Sequence, residues 1–213
     1  MYPVGNLFIP VAHGRLEAII KEPSGDQSGV ALVLHPHPLG GGTMHNKVVF
    51  RAAVALHEAG LVTLRINFRG VGQSTGEHDE GRGELDDVRA GLDYLASNYS
   101  SSKIVLCGFS FGARVGLEVG IADPRVNYLI GIGTPLNRYD FGFLKQCRKP
   151  LLLVHGERDE HGDLEKLRSL VAQFQTELDL ELVVIPDTDH FFEGHLNEMR
   201  DAISEWVGRK LQG

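Results

Sequence analysis

The sequence predicts an α/β fold, a mostly parallel sheet of about eight strands with helices on both faces. Short apolar runs rich in β-branched residues alternate with amphipathic stretches along the whole chain, a pattern typical of buried strands joined by crossover helices. The chain has 213 residues, of which 42% are hydrophobic, which is enough for an ample core. We therefore expect residues 1–213 to form a single domain of this class.

The strands and helices are assigned from the period of the apolar residues and from the residues that bound them. We predict strands at residues 16–20, 30–35, 62–68, 103–108, 126–131, 151–155 and 180–185, with residues 6–11 as an edge partner. We predict helices at residues 47–59, 84–99, 113–121, 164–175 and 195–211. Gly60 stands where the first helix should end, and Asp163 stands where the fourth should be capped.

The composition argues against several classes of partner. The net charge is −7, and no basic run could follow a phosphate backbone, so nucleic acid is not an expected partner. No segment has the pattern of a signal peptide or a membrane span, so we expect a cytoplasmic protein without a membrane partner. The two cysteines, Cys107 and Cys147, do not form a disulfide framework. The glycines at 70–76 complete no nucleotide-binding fingerprint, and no cofactor is expected. The oligomeric state is left open.

Residues 103–119 have the pattern of a strand, a glycine-serine-glycine turn and a helix. In so tight a turn the central Ser110 takes strained backbone angles, and Gly108 and Gly112 avoid Cβ clashes. The turn exposes the serine hydroxyl and aims the Phe111 amide at the point where an oxyanion would form. The pattern predicts a nucleophile at Ser110 and an oxyanion donor at Phe111. The alternative is an ordinary glycine-rich turn with a capping serine.

A serine nucleophile needs a base, and the base needs a third group that orients it. His190 follows the last predicted strand, and Asp159 follows the strand before it. The carboxyl ends of parallel strands meet at one edge of a sheet. We therefore predict Ser110 as nucleophile, His190 as base and Asp159 as orienting acid. The competing residues are His195 for the base and Glu157, Glu160, Asp163 and Asp189 for the acid.

Residues 35–38, His-Pro-His-Pro, follow the strand predicted at 30–35. Two histidines one residue apart could share a metal, but the prolines offer no ligand and no nearby carboxylate or cysteine completes the shell. We interpret the segment as a rigid loop that supplies a second oxyanion amide. That amide comes from His37 or Leu39, because Pro38 has no N–H. No bound metal is expected.

Taken in order, these motifs resemble those of the α/β-hydrolase family over nearly the whole chain. The segments at 35–44 and 67–74, the serine turn and the acid and histidine loops are similar to those of small bacterial hydrolases without a lid. That group is described as esterases or carboxylesterases and is related to dienelactone hydrolases and acyl-peptidase catalytic domains. The resemblance implies the α/β-hydrolase fold and a triad of Ser110, Asp159 and His190.

The chain departs from the related families at two points. Dienelactone hydrolases carry cysteine where this chain has Ser110, and His35-Pro36 stands where the fold usually has a His-Gly pair. The segment 134–150 is too short for a lid, so an open site is expected. We expect the site to be lined by apolar residues that suit small or medium acyl groups: Leu39, Phe109, Phe111, Leu136, Phe191 and Phe192.

The expected function is hydrolysis of small to medium carboxylic esters through an acyl-enzyme, with a small-molecule ester or acyl compound as the substrate. The same triad could instead cleave acyl peptides or thioesters, or pass the acyl group to an acceptor other than water. A metal-dependent hydrolase that uses His35 and His37 is a weaker alternative. A non-catalytic binding module that keeps the fold is another.

Overall fold

A central sheet organises the protein in the computed structural model, which describes residues 7–100, 102–173 and 178–212. Its eight strands in the described chain are β1 (Leu7–Val11), β2 (Gly14–Lys21), β3 (Gly29–Leu34), β4 (Leu61–Ile66), β5 (Ile104–Phe109), β6 (Val126–Ile132), β7 (Leu151–Gly156) and β8 (Leu180–Ile185). Their order is β1-β2-β4-β3-β5-β6-β7-β8. Strand β2 is antiparallel to both neighbours, and the strands from β3 to β8 are parallel. The predicted fold class is confirmed.

Helices cover both faces of the sheet. The described residues form α1 (Lys47–Glu58), α2 (Arg82–Asn98), α3 (Phe111–Ala122), α4 (Leu164–Ala172) and α5 (Leu196–Gln212). Helices α1 and α5 pack on one face, and α2, α3 and α4 pack on the other. Because successive strand residues point to opposite faces, Leu106 of β5 enters one core and Cys107 enters the other. Each large apolar side chain buried in this way contributes about 1.5–3 kcal/mol.

The observed boundaries differ from the predicted ones by a few residues, and specific hydrogen bonds explain two of the differences. Helix α2 begins at Arg82 rather than at residue 84, because the Glu84 carboxylate accepts hydrogen bonds from backbone amides just before the helix. Strand β4 ends at Ile66 rather than at residue 68, because the Phe68 amide donates to the His35 ring at 3.0 Å. Residue 6 of the predicted edge strand and residues 174–175 of the predicted fourth helix lie outside the described residues.

The parallel strands bring the candidate site residues to one edge of the sheet. The loops after β3, β5, β6, β7 and β8 all begin at this edge. The segment from 133 to 150, between β6 and β7, contains the short 3₁₀ turn Gly142–Gln146 and no lid domain. Within residues 7–100, 102–173 and 178–212, no helix is long and apolar enough to cross a membrane.

Candidate active site

Ser110 occupies a strained turn between β5 and α3. Its backbone has φ 56° and ψ −116°, and its amide donates to the Ile132 carbonyl at 2.9 Å. A Cβ at Gly108 would lie 2.2 Å from the Gly112 carbonyl oxygen, and a Cβ at Gly112 would lie 2.6 Å from the His35 carbonyl oxygen. Both contacts involve backbone, which cannot move aside as a side chain can. The turn therefore requires glycine at both positions, as the sequence pattern predicts.

The structure brings Ser110, His190 and Asp159 into one hydrogen-bonded line. Ser110 Oγ lies 2.9 Å from His190 Nε2, and His190 Nδ1 lies 2.8 Å from Asp159 Oδ2. These residues are 80 and 31 positions apart in the chain, and all three are buried. A proton on Nδ1 donates to the Asp159 carboxylate and leaves the Nε2 lone pair to accept the serine hydroxyl. The spacing suits proton transfer from serine to imidazole.

Asp159 is held as a carboxylate by the groups around it. Its Oδ1 accepts hydrogen bonds from the amides of His161 at 2.8 Å and Gly162 at 3.0 Å. Burial alone acts to raise the pKa of Asp159. The hydrogen bond and charge of His190, with contributions from His155 and the His161 amide, outweigh burial and lower the pKa below its ordinary value. The acid is therefore ionised at neutral pH and can stabilise a positive imidazole.

The ring of His190 is fixed by its neighbours as well as by its hydrogen bonds. The Phe109 ring lies 5.0 Å from it and the His161 ring lies 4.5 Å from it, the latter edge to face. A Cβ at Gly133 would come within 3.2 Å of its Cε1. The competing base, His195, lies away from this line, where its Nδ1 is 3.2 Å from Glu198.

The structure separates the two candidates for the second oxyanion amide. The Leu39 amide donates to His37 Nδ1 at 3.2 Å, so it is already used within its own turn. The Leu39 side chain is 78% exposed. Among the turn and loop hydrogen bonds of the described residues, the amides of His37 and Phe111 donate to no backbone carbonyl. The structure therefore favours His37 over Leu39 as the second donor beside Phe111, and the oxyanion role of these amides stays a prediction.

His35 supports the loop rather than offering a metal ligand. Its Nε2 accepts the Phe68 amide at 3.0 Å, and its Nδ1 donates to the Pro36 carbonyl at 2.6 Å. Burial lowers the pKa of His35 to about 4, although the Pro36 hydrogen bond works in the opposite direction. Both ring nitrogens of this neutral histidine are engaged, so no lone pair remains for a metal. The pairing of His35 with His37 as metal ligands is contradicted by this geometry.

Comparison with known proteins identifies the family. A family model described as an alpha/beta hydrolase domain matches residues 29–206. The chain belongs to the α/β-hydrolase family. An uncharacterized protein of Rickettsia prowazekii is 36% identical over 201 residues, which cover 91% of this chain and 84% of that protein.

Two solved structures of α/β-hydrolases resemble this chain over nearly its full length. One is an alpha-beta serine hydrolase homologue from Coxiella burnetii, with 39% identity, a TM-score of 0.89 and coverage of 95% of this chain and 96% of that chain. The other is a serine hydrolase without a lid from Xanthomonas campestris, with 35% identity, a TM-score of 0.90 and coverage of 100% and 98%. The family model and these two structures agree that the chain is a hydrolase of this family.

A cavity of about 180 Å³ opens beside Ser110 in this α/β-hydrolase. Two of the predicted lining residues, Phe111 and Phe191, lie on its wall. The wall also contains residues that the sequence analysis did not assign to it: Pro36, Gly40, Gly41, Gly42, Asn46, Pro135, Arg138, Tyr139 and His161. Several of these follow β6 or β7, so the rule that sites collect after parallel strands, applied to every loop, would have indicated them.

The other predicted lining residues lie elsewhere, and these predictions are corrected. Leu39 points to solvent from its 3₁₀ turn, and Leu136 lines a neighbouring groove instead. Phe109 and Phe192 are buried in the core on the α1 and α5 face of the sheet. Adjacency in sequence to Ser110 or His190 does not predict cavity lining, because Phe111 and Phe191 lie on the wall whereas Phe109 lies in the core.

Proposed function

We propose that this α/β-hydrolase cleaves small to medium carboxylic esters in two acyl-transfer steps, with Ser110 as the nucleophile. The observation that carries the proposal is the unbroken hydrogen-bonded line from Ser110 through His190 to Asp159. A serine hydroxyl becomes a competent nucleophile when a base within hydrogen-bond reach removes its proton. The line supplies that base in an orientation held by an ionised acid.

In the first step, Ser110 Oγ attacks the ester carbonyl carbon while its proton passes to His190 Nε2. The tetrahedral intermediate collapses as the bond to the alcohol oxygen breaks, and His190 returns the proton to that oxygen. In the second step, a water molecule replaces the alcohol, gives its proton to His190 and attacks the acyl-enzyme carbonyl. Collapse releases the carboxylic acid and restores the Ser110 hydroxyl. Asp159 stabilises the imidazolium in both steps.

Two backbone amides are the proposed donors to the oxyanion. The Phe111 amide lies in the first turn of α3, where the unpaired N–H groups of a helix carry partial positive charge. The His37 amide lies in the loop after β3. The His35 ring fixes this loop through hydrogen bonds between both of its nitrogens and the backbone. One oxyanion donor contributes about 100- to 1,000-fold in kcat.

The cavity supports compact substrates. Its volume of about 180 Å³ is below the range of about 300–1,000 Å³ that is typical for drug-sized ligands. The segment after β6 forms no lid that could shelter a long acyl chain. Short esters fit these dimensions better than long-chain lipids.

The replacement Ser110→Ala tests the proposal. We expect kcat for p-nitrophenyl butyrate to fall by about 10³- to 10⁶-fold, because the nucleophile is lost while substrate binding and the oxyanion donors remain. The matched control is Ser169→Ala, an exposed serine of α4 that lies outside the cavity wall. The control should keep kcat within about twofold.

Covalent labelling distinguishes this proposal from its alternatives. A fluorophosphonate probe should modify the wild-type chain at Ser110 and fail to modify the Ser110→Ala variant. Robust labelling with inert esters but active acyl peptides or thioesters would move the proposal to those bonds. Absence of both labelling and turnover in the folded wild-type chain would favour a non-catalytic binding module.

A further inference from the structure

The cavity beside Ser110 differs in charge from the rest of the chain. The protein contains 28 Asp and Glu and has a net charge of −7. None of the described residues on the cavity wall is acidic. The wall instead carries Arg138 together with the rings of His37, His161 and His190. Among the described residues of the wall, Arg138 is thus the one Lys, Arg, Asp or Glu, and its positive charge favours an anionic group of a ligand placed beside it.

Arg138 has no anionic partner among the residues that the structure describes, although most arginines of this chain do. Its amide donates to the Pro135 carbonyl at 3.0 Å within the turn after β6, and this exposed residue is one of those that line the cavity. By contrast, Arg114 pairs with Glu118 at the first turns of α3. A free guanidinium offers a planar set of N–H donors that matches a carboxylate.

The acidic residues that line the neighbouring groove make other contacts. Asp163 accepts a backbone amide at the start of α4, and Glu165 pairs with Arg168 at 2.7 Å. Asp140 accepts a backbone amide of its own turn at 2.8 Å. Among the described residues, none of these carboxylates pairs with Arg138, and neither does Glu160, which lies 3.7 Å from His161, so the Arg138 guanidinium can bind a ligand in the cavity.

The field of Arg138 reaches two walls of the cavity. The pKa of His37 is lowered, first by burial and then by the charges of His78 and Arg138. The pKa of His161 is lowered, first by burial and then by His190, with Arg138 contributing. Nearby acids act in the opposite direction, Glu84 on His37 and both Glu160 and Asp159 on His161, but each pKa stays below its ordinary value. The charge of Arg138 favours an anion placed near these rings. Both rings are neutral at neutral pH and can accept or donate hydrogen bonds to such a ligand.

We propose that Arg138 determines specificity by binding a carboxylate of the substrate, so that the preferred substrates are small esters that carry a negative charge besides the scissile bond. This inference rests on the proposed ester hydrolysis and deepens it. The cavity volume of about 180 Å³ suits a compact substrate, so we place the carboxylate within a few bonds of the reacting carbonyl. A monoester of a short dicarboxylic acid has this form.

Paired substrates measure the preference. On the acyl side, monomethyl glutarate is compared with methyl pentanoate, and on the alcohol side, acetoxyacetate is compared with propyl acetate. In at least one pair, kcat/KM for the charged ester should exceed that for the neutral ester by about 10- to 100-fold, as expected for a charge-assisted hydrogen bond. The pair with the larger ratio identifies which half of the substrate carries the carboxylate. Salt at 0.5 M should reduce the ratio several-fold.

Variants assign the preference to Arg138. The replacement Arg138→Gln should lower the charged-to-neutral ratio to about 1–3, and Arg138→Lys should retain part of it, because lysine keeps the charge without the planar donor set. The matched control is Arg89→Gln, an exposed arginine of α2 paired with Asp86, which makes the same change in net charge away from the cavity. Its ratio should equal that of the wild type.

Other results would contradict either the role of Arg138 or the proposed ester hydrolysis. A wild-type ratio near 1 in both pairs, with neutral esters hydrolysed and Ser110 labelled, overturns the role of Arg138 alone. A ratio that persists in Arg138→Gln does the same. Failure of the wild-type chain both to hydrolyse any of the four esters and to react with the fluorophosphonate overturns the proposed function and this inference together.

Discussion

The turn that carries Ser110 (residues 108–112, here called the elbow) and the turn that carries Arg138 both follow parallel strands at the same edge of the sheet. They differ in how their backbones are packed. At the elbow, two glycines lie against backbone atoms, and Ser110 is only 8% exposed. The turn that carries Arg138 is also held by backbone hydrogen bonds, from the amides of Asn137, Arg138 and Tyr139, but the Arg138 side chain is exposed. Backbone contacts therefore restrict the position of Ser110 more tightly than that of the Arg138 side chain, so we expect replacement of Gly108 to cost more stability than replacement of Arg138.

The largest effect beyond Ser110 is expected at the acid. Asp159→Asn should lower kcat for a p-nitrophenyl ester by about 10⁴-fold, because the amide favours the wrong tautomer of His190 and cannot stabilise the imidazolium. The matched control, Asp201→Asn, changes an exposed carboxylate paired with Arg200 and should stay within about twofold. A loss below tenfold in a folded Asp159→Asn protein would mean that another group orients His190.

The rigidity of the elbow is tested by Gly108→Ala. The new methyl group would meet the Gly112 carbonyl oxygen at 2.2 Å, and neither backbone segment can move without displacing Ser110. We expect a loss of about 3 kcal/mol in the free energy of unfolding, measured by urea denaturation. Gly208→Ala is the control, because a Cβ there meets nothing within 4 Å. Equal stability of the two variants would contradict a backbone-constrained elbow.

The oxyanion loop should make stability depend on pH through His35. Its pKa is about 4 in the folded protein and about 6.5 when unfolded, so between these values the unfolded chain binds the additional proton. The contribution is complete above pH 6.5 and is lost as the pH falls toward 4, at a cost of up to about 3 kcal/mol. Urea unfolding from pH 7.5 to 4.5 measures it.

The variant His35→Gln isolates this contribution from other groups that titrate over the same range. Its amide oxygen can accept the Phe68 amide, but it takes up no proton in this range. The wild-type protein should therefore lose more stability between pH 7.5 and 4.5 than the variant does. Parallel stability curves for the two proteins would show that His35 is not the titrating group.

The smallest effect on stability and activity is expected at Leu39, in the loop after β3 that also contains His35. Leu39→Ala should change the free energy of unfolding by less than about 0.5 kcal/mol and kcat/KM by less than about twofold, because its side chain is exposed and lies outside the cavity wall. Steady-state kinetics with a short ester and urea denaturation check both values. A large rise in KM for Leu39→Ala would indicate that the Leu39 side chain contacts the substrate.

Much of the fold follows from local patterns. Strand β5 begins and ends within one residue of its prediction, because a run of β-branched and apolar residues leads directly into the glycine-serine-glycine turn. Helix α1 has its predicted start at Lys47, where the Asn46 side chain accepts the Val48 amide. Larger differences occur where a distant group intervenes, as at the end of β4, where the His35 ring accepts the Phe68 amide.

The sequence by itself determined the α/β architecture, the serine turn and the order of the proposed serine, acid and histidine, because each depends on backbone conformation over a short stretch or on the alternation of strands and helices. Only the tertiary structure decided that the Leu39 amide is already used, that Phe109 and Phe192 face the core, and that Arg138 reaches the cavity. These outcomes depend on which distant loops meet at the sheet edge. A cavity wall assembled from several loops has no local pattern that could reveal it.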